Sequence, residues 1–587
     1  MNNKLETMRH SASHVMSMAV LELFPKAKMG VGPATSDGFY QDYQLSKPLT
    51  PKDLKKIEKI MGKIKSQKLK FEHEEWGIRK AINYFKKNEQ FYKIEIINDL
   101  EKESILKGKK IKKISIYKTG NYIDLCSGPH VKDTSEIGFY KLLSNAGAYW
   151  KASEKNQMLT RIYGTAFEDK NDLKQYIHFL EEAKKYDHRI LGKRLGVYMF
   201  DSEIGAGLPI WLPNGARLLN TIKNYAFNTY LANGYEPVST PHIASIKLFK
   251  HSGHLEFYKE NIYNPFELEK DNYILKPMNC PFHVKIYNSS IHSYRDLPIR
   301  WTEMGTVYRY EKSGVLHGLT RVRGFTQDDA HIICTAEQLS KELDDSLKLI
   351  KKILKEFGFG EFQVNVSVRD MKNKDKFIGT DEDWKQAERS LVDAVKKAGF
   401  NNFVYDIGGA VFYGPKIDIK IKDTMGRLWQ CSTVQVDFNL PERFDMSYID
   451  PSGNKATPFM VHRAVLGSLE RFIGILLEYH KGQLPLWISP IQVKILPISD
   501  KHIKYANKIK ALLSQEDIVS TVDNRSESTG KKIREAQIEK VPYMLIVGDR
   551  EVKSNKVSLR NRSGKDFGAI ALSTFLKQVK TEIEKKK

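Results

Sequence analysis

The stretch RWTEMGTVYRYEKSGVLHGLTRVRGFTQDDAH (300–331) is the part of the sequence that says most about the fold. It combines an arginine-rich segment with a possible metal ligand, His331. It lies in a region, from about residue 195 to 484, where long strand-like segments alternate with helix-like ones. This region contains no doubly wound βαβ fingerprint. We therefore expect an antiparallel α+β domain in the middle of the chain.

The composition suits a multidomain globular protein with an anionic partner. The 587 residues include 94 Lys and Arg against 71 Asp and Glu, which gives a net charge of +23. Such an excess favours RNA or an anionic membrane face, although lysines on solvated faces would give the same count. Charge alone leaves these alternatives open.

Cysteine usage and the N-terminus indicate the compartment. Only four cysteines occur, too few for a disulfide scaffold in a chain of this length. The N-terminus has no apolar signal-peptide stretch, and no run approaches the ~20 apolar residues of a transmembrane helix. We expect a cytoplasmic protein with no membrane contact.

The pattern along the chain divides it into four parts. Residues 1–168 mix helices and strands as an α+β domain, and 169–194 form an amphipathic connecting helix with apolar residues at helical spacing. Residues 195–486 form the large antiparallel domain. Residues 487–587 alternate strands and helices as a compact α/β module. Apolar positions of the connecting helix are Leu173, Tyr176, Ile177, Leu180 and Ala183.

Three residues of the middle domain could hold one metal ion: Cys280, His331 and His462. Three protein ligands leave one position for a substrate, which is how catalytic zinc is held. Taken singly, each residue is more often a packing cysteine or a structural histidine. Their spacing alone leaves both interpretations open.

The same domain has arginines where a nucleotide would need them. There is no Walker loop, because Pro415 follows Gly409–Gly414 where a P-loop needs lysine. Guanidinium groups can hold phosphate oxygens instead, in a bidentate way and without losing charge. Singly, each is more often a surface ion pair. The candidates are Arg309, Arg321, Arg323 and Arg471.

A second polar cluster is expected near the N-terminus. His10 and His14 lie one helical turn apart, and the peptide YIDLCSGPH holds Asp124, Cys126 and His130. Two His at i and i+4, together with Cys and His four apart, fit a second metal site. A structural role for these ring and thiol groups is the alternative.

The stretch 300–331 resembles motif 2 of the class II aminoacyl-tRNA synthetases, in its threonyl-tRNA synthetase form. The resemblance covers essentially the whole chain. It extends through YEPVSTPHI (motif 1, with Pro241), KPMNCPFH, VFYGPKIDI, WQCSTVQVDFNLPERF, VHRAVLGSLERF (motif 3) and VPYMLIVGDREV. It implies a class II antiparallel-sheet catalytic core, an N-terminal α+β editing domain and a C-terminal α/β anticodon-binding domain.

For ATP, the resemblance implies that Arg309 holds the α-phosphate and the amino-acid carboxylate, and that Glu311 reads the adenine amino group. Adenine would stack between Phe325 and the guanidinium of Arg471. Fixed positive charge and Mg²⁺ suit the transition state of adenylate formation, in which negative charge builds at phosphorus. The implied ATP and adenylate residues are Arg309, Glu311, Arg321, Phe325, Gln430, Ser468 and Arg471.

For the amino acid, the resemblance implies one Zn²⁺ per subunit, on Cys280, His331 and His462. The amine and hydroxyl of L-threonine would bind it directly. An apolar pocket separates the isosteres valine and threonine by only ~10²-fold, whereas a site that demands a hydroxyl rejects valine far more strongly. Asp329 would accept from that hydroxyl, Tyr413 would orient the amine, and Gln327 would lie at the carboxylate end.

Serine also carries a hydroxyl and an amine, and one missing methyl group is worth only ~1–3 kcal/mol. A hydrolytic site for Ser-tRNA(Thr) is therefore expected in residues 1–168. The resemblance implies that it works with water rather than with an obligatory metal. The implied editing residues are His10, His14, Lys93, Asp124, Cys126 and His130.

The remaining implications concern partners. Glu551 and Arg560 would contact anticodon bases of tRNA(Thr), and motif 1, with Pro241, would form a homodimer interface. Ser526 and Phe282 depart from residues common in the family. The chain starts almost directly at the editing-like segment, so the small ubiquitin-like domain of many bacterial members is expected to be absent.

Two other functions remain as alternatives. One is a free-standing aminoacyl-tRNA editing hydrolase with a degenerate synthetase body, which would need a broken ATP site. The other is a non-catalytic RNA-binding paralogue, which would have no use for Cys280, His331 and His462 together. The first is disfavoured because Arg309, Glu311, Arg321 and Arg471 are all present, and the second because all three possible metal ligands are present.

Overall fold

The structure is a computed structural model that describes residues 3–586 apart from 36, 107, 109, 110, 154, 258, 401, 424 and 425. The chain forms two compact units, Met1–Glu181 and Glu182–Lys587, here called the first and the second unit. The division lies inside one helix, Lys170–Lys185.

The first unit contains two antiparallel sheets, of strand order β1-β2-β7-β6 and β3-β4-β5. Helix α1 packs on the first of them through Ala12, Val15, Met16 and Ala19, all fully buried and spaced to share one helix face. Its elements are α1 (Asn3–Leu23), β1 (Lys28–Met29), β2 (Phe39–Gln44), α2 (Pro51–Ser66), β3 (Glu72–Gly77), α3 (Ile78–Lys87), α4 (Phe91–Leu106), β4 (Lys113–Thr119), β5 (Tyr122–Leu125), β6 (Phe139–Tyr149) and β7 (Met158–Phe167).

The predicted connecting helix 169–194 is two helices, α5 (Lys170–Lys185) and α6 (His188–Arg194). Asp187 separates them because its side chain accepts a hydrogen bond from the Arg189 N–H at 2.8 Å and caps the start of α6. Helical spacing of apolar residues predicted the helix but not this break.

The second unit begins with α6 and contains the large domain. Its elements up to residue 479 are β8 (Tyr198–Met199), β9 (Ile210–Trp211), α7 (Pro213–Ala232), β10 (Glu236–Pro237), β11 (Ile243–Ser245), α8 (Ile246–His251), α9 (His254–Phe257), β12 (Phe266–Leu268), β13 (Asp271–Leu275), α10 (Cys280–Tyr287), β14 (His292–Ser293), β15 (Ile299–Tyr308), β16 (Gly324–Cys334), α11 (Ala336–Glu356), β17 (Gln363–Val368), α12 (Asp381–Lys397), β18 (Phe403–Ile407), β19 (Lys416–Lys422), β20 (Leu428–Asp437), α13 (Asn439–Arg443), β21 (Tyr448–Ile449), β22 (Lys455–Ala456), β23 (Phe459–Ser468) and α14 (Leu469–Tyr479).

An eight-stranded sheet of order β10-β15-β16-β23-β20-β19-β17-β18 organises this domain. Its pairs are antiparallel except for β10 with β15 and β17 with β18, at the two edges. The expected antiparallel α+β fold is confirmed. The stretch 300–331, quoted at the start, forms the hairpin of β15 and β16, and its arginine-rich segment is the loop between them.

Helices cover the sheet and form one large core. Leu343, Ile350 and Leu354 of α11 and Phe472 and Leu476 of α14 are fully buried in it. Because they repeat at helical spacing, these residues form one face of each helix and pack it on the sheet, including strands β16 and β23.

The C-terminal part of the second unit is a five-stranded sheet of order β25-β24-β26-β27-β28 with helices around it. The strands up to β26 are parallel, and the last two are antiparallel. The sequence pattern missed α17, β28 and α18. The elements are β24 (Val493–Pro497), α15 (Ile503–Gln515), β25 (Ser520–Val522), α16 (Thr529–Ile538), β26 (Tyr543–Val547), α17 (Asp549–Ser554), β27 (Lys556–Asn561), β28 (Asp566–Ala571) and α18 (Leu572–Glu584).

Among the described residues, no helix combines the length and apolar character that a membrane span requires.

Candidate functional sites

Cys280, His331 and His462, here called the Cys-His-His cluster, come together in the second unit. One ligand atom of each lies within 4.8 Å of the others. His331 Nε2 is 2.9 Å from His462 Nδ1. Cys280 and His331 are buried, and the His462 side chain is 13% exposed. The group is therefore compact, with one partly accessible member.

Two neighbouring strands and a helix terminus create this cluster. His331 of β16 and His462 of β23 are direct cross-strand partners, so their side chains project on one face of the sheet. Cys280 is the first residue of α10, with Pro281 at a position where the missing N–H is tolerated. His331 and His462, 131 residues apart in sequence, thus meet through sheet register.

The residues present fit a zinc ion. His462 Nε2 lies 2.9 Å from Asp437 Oδ2, and a carboxylate oxygen only accepts, so Nε2 carries the proton and Nδ1 has a free lone pair. Burial, with the neighbouring His283 and His462, lowers the pKa of His331 well below its usual value, which keeps that ring neutral. Neutral imidazoles beside a cysteine are the ligands that zinc prefers.

Cys280 completes the donor set. Burial raises the pKa of its thiol well above the usual value. A coordinating cation reverses this, because it removes the thiol proton outright. The His254 Nε2 atom lies 3.7 Å from Cys280 Sγ, and burial lowers the pKa of His254 to about 3.

The predicted amino-acid residues lie around the cluster. Asp329 is two residues before His331 on β16, hence on the same face, and its Oδ2 accepts from Asn279 Nδ2 at 2.9 Å. The Tyr413 ring centroid is 5.7 Å from that of His462. Gln327 pairs with Ser468 at the end of β16. Burial raises the pKa of Asp329.

The predicted arginines lie at the same end of the sheet. Arg309 follows β15, and its Cζ lies 5.2 Å from the centroid of the Phe325 ring. Arg321 Nε donates to Glu311 Oε2 at 3.0 Å, and the Arg321 side chain is 50% exposed. Glu311 and Arg321 are thus already paired with each other, although sequence reasoning assigned them to different parts of one nucleotide.

Arg471 is held in place by two backbone carbonyls. Its Nε donates to Thr320 O at 3.0 Å and its Nη1 to Gln430 O at 3.3 Å. Burial lowers its pKa. The Ser468 hydroxyl caps α14 by accepting from the Arg471 N–H. Through these bonds the motif 3 helix, strand β20 and the end of the β15–β16 loop are tied to one guanidinium.

A cleft of about 980 Å³ in the first unit gathers the N-terminal residues. Its lining includes His10, His14, Lys93, Asp124 and Cys126. The ring centroids of His10 and His14 are 5.4 Å apart, as expected for one helical turn of α1. We call this the N-terminal cleft.

Within this cleft, Cys126 Sγ lies 3.3 Å from His10 Nε2 and 3.2 Å from His130 Nε2. Ligand atoms of His10, His14, Cys126 and His130, here called the N-terminal cluster, all lie within 4.8 Å of one another. His14 Nδ1 is buried and has no hydrogen-bond partner in the described part of the chain.

The N-terminal cluster is electrically neutral near pH 7. Burial lowers the pKa of His10 and, together with the other histidines, lowers those of His14 and His130 still further. Burial raises the pKa of Cys126 to about 11. The histidines therefore offer lone pairs, and the cysteine is a thiol rather than a thiolate.

Lys93 and Asp124 form a buried ion pair beside the cluster. Lys93 Nζ is 2.7 Å from Asp124 Oδ1, and the side chains are 4% and 3% exposed. Asp124 also accepts from Tyr122 OH at 2.9 Å. Lys93 thus reaches the cleft on α4 with its charge already balanced.

The predicted anticodon residues have structural partners. Glu551 Oε2 accepts from the Gly548 N–H at 2.9 Å and caps α17. Arg560 Nη2 is 2.6 Å from Asp566 Oδ2. Ser526 is exposed in the loop before α16. Phe282 packs in a small apolar cluster with Phe249.

Sequence reasoning missed Asp437 and His254 at the metal cluster. Asp437 is the last residue of β20, in WQCSTVQVDF, and nothing in that peptide marks it as a partner of His462. His254 lies outside all the quoted motifs. Only the fold brings these side chains to the donors.

Three family descriptions match the chain. Residues 263–480 match the "tRNA synthetase class II core domain (G, H, P, S and T)", 492–582 the "Anticodon binding domain", and 114–163 the "Threonyl and Alanyl tRNA synthetase second additional domain". The matches agree with the expected class II core, editing domain and anticodon-binding domain.

Similar proteins match over nearly the whole length. The chain is 47% identical to Threonine–tRNA ligase of Sulfurihydrogenibium sp. (strain YO3AOP1), covering 99% of this chain and 89% of that protein. It is 46% identical to Threonine–tRNA ligase of Aquifex aeolicus (strain VF5), covering 99% and 90%. The solved RNA binding domain of threonyl-tRNA synthetase from Cryptosporidium parvum Iowa II has TM-score 0.63 and 39% identity, over 68% of this chain and 98% of that one. On this identity and coverage, the chain belongs to the threonine–tRNA ligase family.

Proposed function

We propose that this chain ligates L-threonine to tRNA(Thr) with ATP and hydrolyses Ser-tRNA(Thr) in its first unit. The observation that carries the residue assignments is the Cys-His-His cluster beside Asp329 of β16, with Arg309 directly after the neighbouring strand β15 and Arg471 in α14, directly after β23. A hydroxyl-selecting group and a phosphate-holding group on adjacent strands are what threonine activation needs.

In the first step a carboxylate oxygen of threonine attacks the α-phosphorus of ATP, and the bond to pyrophosphate breaks. Arg309 neutralises the developing charge, and Arg321 and Arg471 complete the clamp. Mg²⁺ bound with ATP supplies further charge neutralisation at the phosphates. Glu311 would accept from the adenine amino group, with adenine between Phe325 and Arg471.

The backbone bonds of Arg471 support this assignment. Because Thr320 O and Gln430 O hold Nε and Nη1, the plane of the guanidinium is fixed before the nucleotide binds. A fixed donor needs little reorganisation at the moment of reaction. Gln430 and Ser468 serve the site by holding this arginine and the start of α14 in place.

Threonine selection is assigned to the Cys-His-His cluster. Cys280, His331 and His462 would hold a zinc ion, which would bind the amine and the hydroxyl of threonine, and valine lacks that hydroxyl. Asp329 accepts from the threonine hydroxyl, Tyr413 orients the amine, and Gln327 lies at the carboxylate end.

In the first unit, water attacks the ester carbonyl of Ser-tRNA(Thr), the bond to the terminal ribose breaks, and that ribose oxygen takes a proton. Neutral His10 and His14 can orient the water and accept its proton. Lys93, paired with Asp124, and Cys126 complete the lining, and His130 contacts Cys126. The cleft volume of about 980 Å³ leaves room for a nucleotide end.

Partners follow from the same assignment. Glu551 and Arg560 contact anticodon bases, and two copies of the chain associate through motif 1 around the exposed Pro241. The short edge strand β10, exposed at both residues, borders that segment. Four cysteines, all free, suit the cytoplasm where translation occurs.

The test is pyrophosphate exchange with threonine, serine and valine, together with a zinc measurement on the purified chain. We expect exchange with threonine, weaker exchange with serine, none with valine, and about one zinc per chain. Exchange that does not depend on threonine, or none with any of the three amino acids, would contradict the proposal.

A further inference from the structure

His283 lies directly behind the Cys-His-His cluster and belongs to none of the sites assigned above. It is one turn after Cys280 on α10 and fully buried. Its Nδ1 atom is 2.9 Å from His331 Nδ1, the ring nitrogen opposite the one that faces His462. The contact is thus made on the far side of a proposed ligand.

Glu303 of β15 holds the other side of His283. Its Oε1 atom lies 3.4 Å from His283 Nε2. The same carboxylate accepts from the Thr240 N–H at 3.0 Å and from the Thr240 hydroxyl at 2.8 Å, and Lys276 Nζ lies 3.7 Å away. Glu303 is 4% exposed. It is therefore a fixed, buried acceptor.

The neighbours of Glu303 stabilise the negative charge of its carboxylate. Burial raises the pKa of this carboxyl, but the hydrogen bond from His283 and the charge of Lys276 outweigh it, so that the pKa is below its usual value. An ionised carboxylate can only accept hydrogen bonds. The nitrogen of His283 that faces it, Nε2, must be a donor.

The proton positions then follow along the chain of contacts. If His331 Nε2 is to coordinate a cation, the His331 proton must lie on Nδ1, and His283 Nδ1, at 2.9 Å, is the acceptor that geometry offers while His283 Nε2 donates to Glu303. A neutral His331 with its proton on Nδ1 has a free lone pair on Nε2. That atom is the one 2.9 Å from His462 Nδ1.

Asp437 places the proton of His462 on the outer nitrogen in the same way, because its carboxylate accepts from His462 Nε2. With the protons on the outer nitrogens, His331 Nε2 and His462 Nδ1, 2.9 Å apart, would both offer lone pairs to one cation. Each of the two histidines has a carboxylate behind it, one directly and one through a second histidine.

We propose that His283, held by Glu303, is a positioning residue that keeps the His331 Nε2 lone pair available for zinc. The proposal rests on the zinc site proposed above. His283 is not itself a proposed ligand, because its two ring nitrogens face the rear nitrogen of His331 and the carboxylate of Glu303. Partners of this kind typically change metal affinity or activity 10–100-fold.

The experiment compares the full-length parent with His283→Leu, His283→Asn and Glu303→Gln. Leu removes the acceptor, whereas the Asn side-chain oxygen can reach the place of Nδ1 and accept from His331. His188→Asn is the matched control: His188 is fully buried, and its Nδ1 lies 2.7 Å from Glu478 Oε1, away from the cluster. Zinc per chain, the rate of zinc transfer to a chromophoric chelator and thermal unfolding are measured for each.

We expect H283L to release zinc about 10–100-fold faster, H283N to remain within severalfold of the parent, and E303Q to lie between them. Replacing zinc with cobalt in H283L should also shift the visible absorption bands, which report ligand arrangement. H188N should lower the unfolding temperature and leave zinc release unchanged.

Three results would overturn the proposal. They are zinc release by folded H283L at the parent rate, equal loss of zinc in H283N and H283L, and a loss of zinc in H188N equal to that in H283L. If H283L does not fold, E303Q decides, and parent-like zinc release by E303Q would count against the proposal. A parent chain that binds no zinc refutes the zinc site itself, which is a different failure and is visible before any variant is made.

Discussion

The Cys-His-His cluster and the N-terminal cluster contain the same kinds of residue in two different surroundings. In both, histidine nitrogens and one cysteine sulfur lie within 4.8 Å of one another. At Cys280, the histidines have carboxylates behind them, Asp437 directly and Glu303 through His283. Those carboxylates are placed to accept the proton on each outer nitrogen, which is the arrangement that ligation through the inner nitrogens requires.

The N-terminal cluster has neutral partners instead. His130 Nδ1 contacts the Ser11 hydroxyl at 3.1 Å, a carbonyl accepts from the His10 ring, and His14 Nδ1 has no partner among the described residues. The nearby carboxylate of Asp124 is paired with Lys93. The cluster also borders a cleft of about 980 Å³.

The types and spacing of the histidines and cysteine are therefore not enough to predict whether such a cluster binds a metal ion or orients a water molecule. A carboxylate behind an imidazole raises its basicity and fixes its tautomer, which favours a cation. Neutral partners and an open cleft leave the rings free to orient water. The predictions below test this contrast.

The largest expected effect follows from removing one ligand. In Cys280→Ser, zinc per chain should fall from about one to near zero, and threonine-dependent pyrophosphate exchange should drop about 10³-fold, since a metal supplies several kcal/mol. Zinc analysis and exchange assays check both. Ser-tRNA(Thr) hydrolysis by the same variant should be unchanged, and a parallel loss of hydrolysis would contradict the separation of the two sites.

Removing the helix α1 histidines should have the converse effect. In the double variant His10→Ala/His14→Ala, hydrolysis of Ser-tRNA(Thr) should fall about 10²–10⁴-fold because the water loses its proton acceptor. Single-turnover deacylation measures it. Threonine activation and zinc content serve as internal controls. Hydrolysis at the parent rate would refute the assignment.

Removing the carboxylate partners should separate the clusters on a smaller scale. Asp437→Asn should weaken zinc binding about 10–100-fold, because the amide cannot hold the His462 proton as a carboxylate does. Asp124→Asn should leave zinc binding intact, since its partner is Lys93. Chelator competition measures both. Equal zinc loss in the two variants would mean that a carboxylate behind a histidine does not distinguish the Cys-His-His cluster from the N-terminal cluster.

The smallest effect concerns pH. Burial lowers the pKa of His10 below 6.5, so the neutral, proton-accepting form persists as pH falls through that value. Hydrolysis should stay level from about pH 8 down through 6.5 and decline only at lower pH. Deacylation rates, corrected for uncatalysed ester hydrolysis, measure the profile. A midpoint at or above pH 6.5 would argue against neutral His10 as the acceptor.

Several features could be predicted from local sequence alone. The i, i+4 spacing of His10 and His14 predicts adjacent rings on one helix, and the strand-like runs around Arg309 and Arg321 suit an antiparallel hairpin. Other features could not be predicted in this way, although the residues involved lie close together in the chain. The break at Asp187, the Glu311–Arg321 pair and the cap that Glu551 forms on α17 come from single hydrogen bonds, which no periodicity reveals.

By itself the sequence determined the family, the antiparallel α+β class and the identity of the donors, because these depend on residue types and on short spacings. Only the tertiary structure decided what each donor does. His283 and His331 both belong to motifs quoted above. The Nε2 atom of His331 faces the cluster, whereas His283 contacts the opposite nitrogen of His331. That distinction depends on Glu303 and Asp437, whose contacts with the histidines exist only after the strands are paired. The nearest hydrogen-bond acceptor determines which ring nitrogen of a histidine carries the proton, and the tertiary structure determines which acceptor is nearest.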